Sequence, residues 1–229
     1  MTTPPDPLIL HIETAEQGCS VAISRGTELV YLSIEESSYQ QTARLPFILS
    51  NVLNASKCSW KHLDAIAICD GPGSYTALRV GTSMAKAICF AHDIALIAVP
   101  TLEMIEQSIG VDRTPEWICI PTIDARRGRV FYAIYDADGT CVQPPALDVI
   151  PNVLDQVPGD QWIIGGTGLR NQPEAWTHTT KKIQPDYSRY SAAHMLLPAL
   201  RRYKYGHFED QRTYTPNYLL QPHITTPNK

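Results

Sequence analysis

The sequence predicts an α/β protein assembled from two similar halves, and three observations carry that expectation. Three strand-like segments open the chain and helices then alternate with strands, the pattern of a sheet with parallel members. The second half repeats that order. The two halves also begin alike: Ile12-Glu13-Thr14-Ala15 runs into Gly18, and Ile123-Asp124-Ala125-Arg126 runs into Gly128, 111 residues apart in a chain of 229.

The elements follow in order. LILHIE (8–13), CSVAIS (19–24) and ELVYLSIE (28–35) read as strands, with Gly18 and Gly26 marking the turns between them. Leu45, Ile48, Leu49, Val52 and Leu53 recur at three- and four-residue spacing, which predicts a helix over 41–55. A strand at 64–69, a glycine-rich loop, a helix over 74–92, a strand at 94–99 and a short helix from Thr101 complete this half. WICIPTID (117–124) and RVFYAIYD (129–136) then form a hairpin, followed by an extended stretch near 140–150. A short helix at 151–157, the strand QWIIG (161–165) and a weak extended stretch near 181–184 come next. Pro198 should kink or split the closing helix SAAHMLLPALRRYKYG.

The repeat predicts two ribonuclease-H-like units with a cleft between them, divided as 1–112 and 113–229, the last helix and tail packing back on the first unit. Each unit ends its first strand with a carboxylate, Glu13 or Asp124. Such a group either faces magnesium or phosphate across a cleft or organises the turn that follows it. The loop in DGPGSYTALRVG (70–81) has no lysine for a Walker A loop, and Thr76 stands where GxGxxG needs its third glycine. Gly71 and Gly73 supply backbone freedom, Pro72 fixes φ between them, and Ser74 reads as the N-cap of a helix starting at Tyr75. Along that helix Gly73, Ala77, Gly81, Ala85 and Cys89 recur every four residues, while Leu78, Ala85 and Ile88 turn to the sheet. An edge of small side chains admits a second helix closely, from a partner or from the same chain. In GGTG (165–168), Gly166 and Thr167 either line a nucleotide pocket or form a plain connection.

Composition narrows the function. Hydrophobic residues make up 44% and charged residues 18%, so the chain folds rather than staying disordered. Six cysteines without a CxxC pair read as reduced thiols. The net charge of −4 argues against unaided nucleic-acid binding. No two of the seven histidines stand four apart, which removes the usual helical metal pair, and GxSxG is missing too. Apolar runs are too short to span a membrane, and MTTPPDP lacks the features of a signal peptide, so a cytoplasmic location is expected.

IETAEQGCSVAI, DGPGSYTALRVG, VPTLEMI, IDARRGRVFYAIY and the late PNYL together resemble the TsaB (YeaZ) family, over most of the chain. The resemblance implies an actin/Hsp70-type (ASKHA) pair of subdomains. It implies an accessory, non-catalytic subunit of bacterial tRNA threonylcarbamoyladenosine synthesis, which modifies the adenosine 3′ of the anticodon. It further implies pairing with the catalytic TsaD subunit, docking of the TsaE ATPase, tRNA contact only within the complex, and a homodimer when alone. By resemblance the partner interface comprises segments 41–53 and 74–90. It draws on Leu45, Ile48, Leu49 and Val52 from the first and on Ser74, Tyr75, Ala77, Leu78, Gly81 and Ala85 from the second. No cofactor is required, and Glu13, Asp124, Gly71, Gly73, Gly166 and Thr167 form a vestigial cleft with at most weak ATP, ADP or magnesium binding. Glu13 replaces the family's Asp, QQTARLP lacks its histidine, and Ala77 replaces a glycine. The first two departures weaken any case for cleft chemistry; the third narrows the approach of a partner helix. The rival readings are an ATP-using phosphotransferase or hydrolase with Glu13 and Asp124 around magnesium, and a glycoprotease-like peptidase.

Overall fold

The computed structural model describes residues 6–16, 18–35, 41–110 and 114–219. Its first sheet collects β1 (Leu8–Glu13), β2 (Cys19–Arg25), β3 (Glu28–Glu35), β4 (Ala65–Cys69) and β5 (Ala95–Val99) in the order β3-β2-β1-β4-β5. β1, β2 and β3 pair antiparallel through short turns, whereas β4 and β5 join in parallel through helical crossovers. β1 and β4 are buried along their whole length, and their apolar sequences suit strands covered on both faces. One face receives α1 (Gln41–Ala55) and α2 (Tyr75–His92), whose Leu45, Leu49, Val52, Ala85 and Cys89 share a core with Leu10, Ile12 and Ile66.

The second sheet repeats the first. It holds β6 (Trp117–Asp124), β7 (Arg129–Tyr135), β8 (Cys141–Val149), β9 (Gln161–Gly166) and β10 (Lys182–Asp186) in the order β10-β9-β6-β7-β8. Here too the first three strands are antiparallel and the last two parallel. α4 (Ile150–Gln156) and α5 (Thr167–Arg170) take the places of α1 and α2 in chain order. Two ribonuclease-H-like units are therefore present.

The helix that ends each half packs on the other half's sheet. α3 (Thr101–Ser108) sets Leu102 and Ile105 against Cys119, Phe131 and Ile163 of the second sheet. α6 (Leu196–Lys204) and the 3-10 turn Ala192–Met195 before it set Ala192, Met195 and Ala199 against Ile9, Ala22 and Ile97 of the first. Packing thus crosses residue 112, and the exchange joins the halves. The closing helical segment is split as Pro198 requires, but at Met195; Pro198 lies in the first turn of α6, where its missing N–H needs no partner. Beyond α6 the chain runs back over the first half, with Glu209 N–H donating to Leu96 O and Asn217 N–H to Asp70 O, both at 2.8 Å. The end of the tail, 220–229, lies outside the described residues. Among the described residues no helix is long and apolar enough to cross a membrane.

Candidate functional site

Both strand-end carboxylates close their own turns. Glu13 Oε1 accepts the Ala15 N–H at 2.7 Å, and Oε2 accepts the Ser20 hydroxyl at 3.0 Å. The Ser20 oxygen in turn accepts the Ala192 N–H at 2.9 Å, which ties the turn to the segment before α6. Burial pushes the Glu13 carboxyl up to about 7, against the pull of both hydrogen bonds and helped by the charge of Glu16. Asp124 Oδ1 accepts the Arg126 N–H at 2.8 Å and the Gln172 amide at 3.1 Å; Oδ2 accepts the Asn171 amide at 2.9 Å. Each carboxylate binds the N–H two residues ahead, and the two share none of these donors. The geometry shows turn organisers.

A residue that no sequence pattern singled out, Glu16, crosses from the β1–β2 turn to the second half. Its carboxylate accepts the hydroxyls of Thr167 and Tyr190 and lies 3.8 Å from the Arg170 guanidinium. The available signal was an ionisable side chain in a tight turn between two buried strands. Thr167 also accepts the Asp124 N–H at 3.1 Å, so it links both turns. Gly166 has φ +93°, and a Cβ there would fall 2.0 Å from Thr122 O. The glycine lets the loop lie flat on β6 and so places Thr167.

The Gly71-Pro72-Gly73 loop is filled by the chain itself. A Cβ on Gly73 would meet Ala15 O at 2.4 Å, and one on Gly71 would meet Asn217 O at 2.6 Å. Two stretches of backbone therefore lie directly against the α-carbons of these glycines, which is why neither position takes a side chain. Ser74 precedes α2 as expected, but its hydroxyl makes no cap bond; its N–H donates to Ala15 O at 2.6 Å.

The small edge of α2 faces inward. A Cβ on Gly81 would fall 2.5 Å from Thr14 Oγ1, and Ala77, Ala85 and Cys89 are buried. This corrects the assignment of Ala77, Gly81 and Ala85 to a partner surface, because the Thr14-Ala15 turn and the sheet already fill that edge. Leu78 packs with Ala15 and Cys69, and Leu45, Ile48, Leu49 and Val52 belong to the first core. The apolar stripe of each helix has turned to its own sheet, so any partner must meet the opposite faces. Of the ten interface residues named from the sequence, only Ser74 and Tyr75 reach the surface.

Those opposite faces carry apolar groups. Phe47 on α1 is 70% exposed and Phe90 on α2 is 73% exposed. Arg79, Val80, Ser83, Met84 and Ala87 line a groove of about 350 Å³ along α2. Beside it, Tyr75 packs against Tyr218 at 4.6 Å between ring centroids, with the Arg79 guanidinium 4.5 Å from the Tyr75 ring centre.

The family model described as TsaD, tRNA N6-adenosine threonylcarbamoyltransferase, matches residues 34–198. The chain is 28% identical over 202 residues to the tRNA threonylcarbamoyladenosine biosynthesis protein TsaB of Escherichia coli K12, covering 83% of this chain and 84% of that one. The chain belongs to this family, on its TsaB branch. A tRNA N6-adenosine threonylcarbamoyltransferase of Bacillus thuringiensis strain Al Hakam is 32% identical over 108 residues, 40% of this chain and 32% of that one. The solved structure of YeaZ from Pseudomonas aeruginosa superposes with a TM-score of 0.75 at 22% identity, covering 93% of this chain and all of that one, and shares the fold.

Proposed function

We propose that the chain serves tRNA threonylcarbamoyladenosine biosynthesis as a non-catalytic scaffold. It pairs with a TsaD-type transferase through the outer faces of α1 and α2. The observation that carries this reading is the exposed apolar surface of Ala87 and Phe90 on α2 and of Phe47 on α1, helices whose inner faces are already packed. The family that supplies the transferase also supplies this chain, so two related helix pairs would meet about a pseudo-twofold axis, and the same face would form a homodimer when the partner is absent. The TsaE ATPase and tRNA join only the assembled pair. The engagement of Glu13 and Asp124 in their turns supports a non-catalytic role over a phosphotransferase, hydrolase or peptidase.

The test is reconstitution. Alone, the chain should show no threonylcarbamoyl transfer; added to TsaD, TsaE and a threonylcarbamoyl-adenylate source, it should restore modification of tRNA. Phe90→Asp should abolish co-purification with TsaD while leaving the thermal midpoint within about 2 °C, because Phe90 is 73% exposed and an outward-facing substitution changes stability little. Unaltered pairing of that variant rules out this face.

A further inference from the structure

The surroundings of Glu16 are a set of donors gathered on the second half for one anion. The Thr167 hydroxyl serves Oε1, the Tyr190 phenol serves Oε2, and the Arg170 guanidinium stands 3.8 Å from Oε2. Each of the first two donors sits on a supported segment. Thr167 starts α5 directly after the Gly165-Gly166 approach to β6 and accepts the Asp124 N–H. Tyr190 packs within the cores that the exchanged helices make. Arg170 is tethered by its second guanidinium nitrogen to Ser188 O at 2.8 Å. None of these anchors involves Glu16, so the donors remain in place without it. Two hydroxyls and a guanidinium are what a phosphate or carboxylate oxygen set requires.

We propose that Thr167, Arg170 and Tyr190 form an oxyanion pocket that the chain fills with its own Glu16, an internal surrogate for a phosphate group. The carboxylate is delivered by the β1–β2 turn of the opposite half, so the occupied pocket also holds the two halves together across the cleft. Because it is tethered, it acts at a high effective concentration and excludes free anions of the same chemistry. This inference goes beyond the scaffold reading and stands whether or not the chain pairs with a transferase.

Removing the tethered carboxylate should unmask the pocket. The probe is inorganic phosphate against the full chain, with chloride at matched ionic strength as the reference. Wild-type protein gives the general salt response only. Glu16→Ala should melt earlier and bind phosphate at least about tenfold more tightly than wild type, by calorimetry and by midpoint shift, since an internal competitor has gone. Thr167→Val in the Glu16→Ala background should remove that gain. A Glu16→Ala response no larger than wild type overturns the proposal, as does a response that survives Thr167→Val. Should Glu16→Ala not fold, Glu16→Gln decides. Its amide meets only part of the donor set, so hydrogen exchange at residues 14–20 should quicken and phosphate should slow it again; indifference to phosphate sinks the idea. ADP in place of phosphate distinguishes a nucleotide pocket from a simple anion pocket.

Discussion

The Glu13 and Asp124 turns occupy equivalent places in the two sheets and perform one task in different surroundings. Glu13 pairs across its hairpin with Ser20 and is 6% exposed; Asp124 pairs with Val130 and is half-buried. The first lies on the face of its sheet that the segment before α6 covers, where the Ala192 N–H reaches the Ser20 hydroxyl. The second lies beside the short α5, with Thr167, Asn171 and Gln172 as neighbours. Burial there raises the pKa of the first carboxyl, whereas the second stays among amide side chains. The same motif can thus be a buried structural group in one copy and a solvated one in the other. What decides is the chain segment laid over it.

Four measurements break or sharpen that comparison. The largest effect belongs to the glycines that precede α2 and α5. Gly166→Ala adds a Cβ 2.0 Å from a carbonyl oxygen at a positive φ, and Gly73→Ala adds one 2.4 Å from another. Both should cost about 3 kcal/mol or more by urea unfolding, Gly166→Ala the more, because backbone cannot step aside as a side chain can. Gly81→Ala meets the Thr14 side chain and should cost less, about 1–3 kcal/mol. If Gly81→Ala proves neutral, the inward packing of the small edge is wrong.

Next come the carboxylates themselves. Glu13→Ala orphans the buried Ala15 N–H and a hydroxyl, for a loss of about 2 kcal/mol at pH 5.5, whereas Asp124→Ala should lose under about 1 kcal/mol because water replaces the acceptor. Equal losses would erase the distinction between the two turns.

The last effect is one of pH. On β1, burial drives His11 from 6.5 down to about 3, while Glu13 rises from 4.5 to about 7. Below pH 6.5 the unfolded chain takes up a proton at His11 that the folded chain refuses, so stability falls with falling pH. Between pH 7 and 4.5 the folded chain holds a proton at Glu13 that the unfolded chain has released, so stability rises with falling pH. Where the windows overlap the two slopes oppose each other; below pH 4.5 His11 alone continues the loss towards about 3. Glu13→Gln should therefore uncover a decline that begins already near pH 6.5. Urea titrations at half-unit intervals read this directly, and identical profiles for wild type and variant would refute it.

The sequence located most elements within a residue or two, because buried strands such as LILHIE and the spacing of Leu45, Leu49 and Val52 are local signals. It also exposed the internal repeat through Glu13 and Asp124. It misled on the small edge of α2. Spacing shows that Ala77, Gly81 and Ala85 share a face but not what fills it, and Thr14 lies 67 residues before Gly81. Glu16 was invisible for the same reason: its partners Thr167 and Tyr190 are more than 150 residues away.

What the sequence determined by itself was the alternation of elements, the doubling of the unit and the family, since periodicity, turn residues and motifs are written along the chain. Tertiary structure alone decided which helix covers which sheet, which faces stay bare and that a carboxylate of one half closes the cleft of the other. Those outcomes depend on distances between remote segments, and such distances arise only when the cores exclude water and the chain closes on itself.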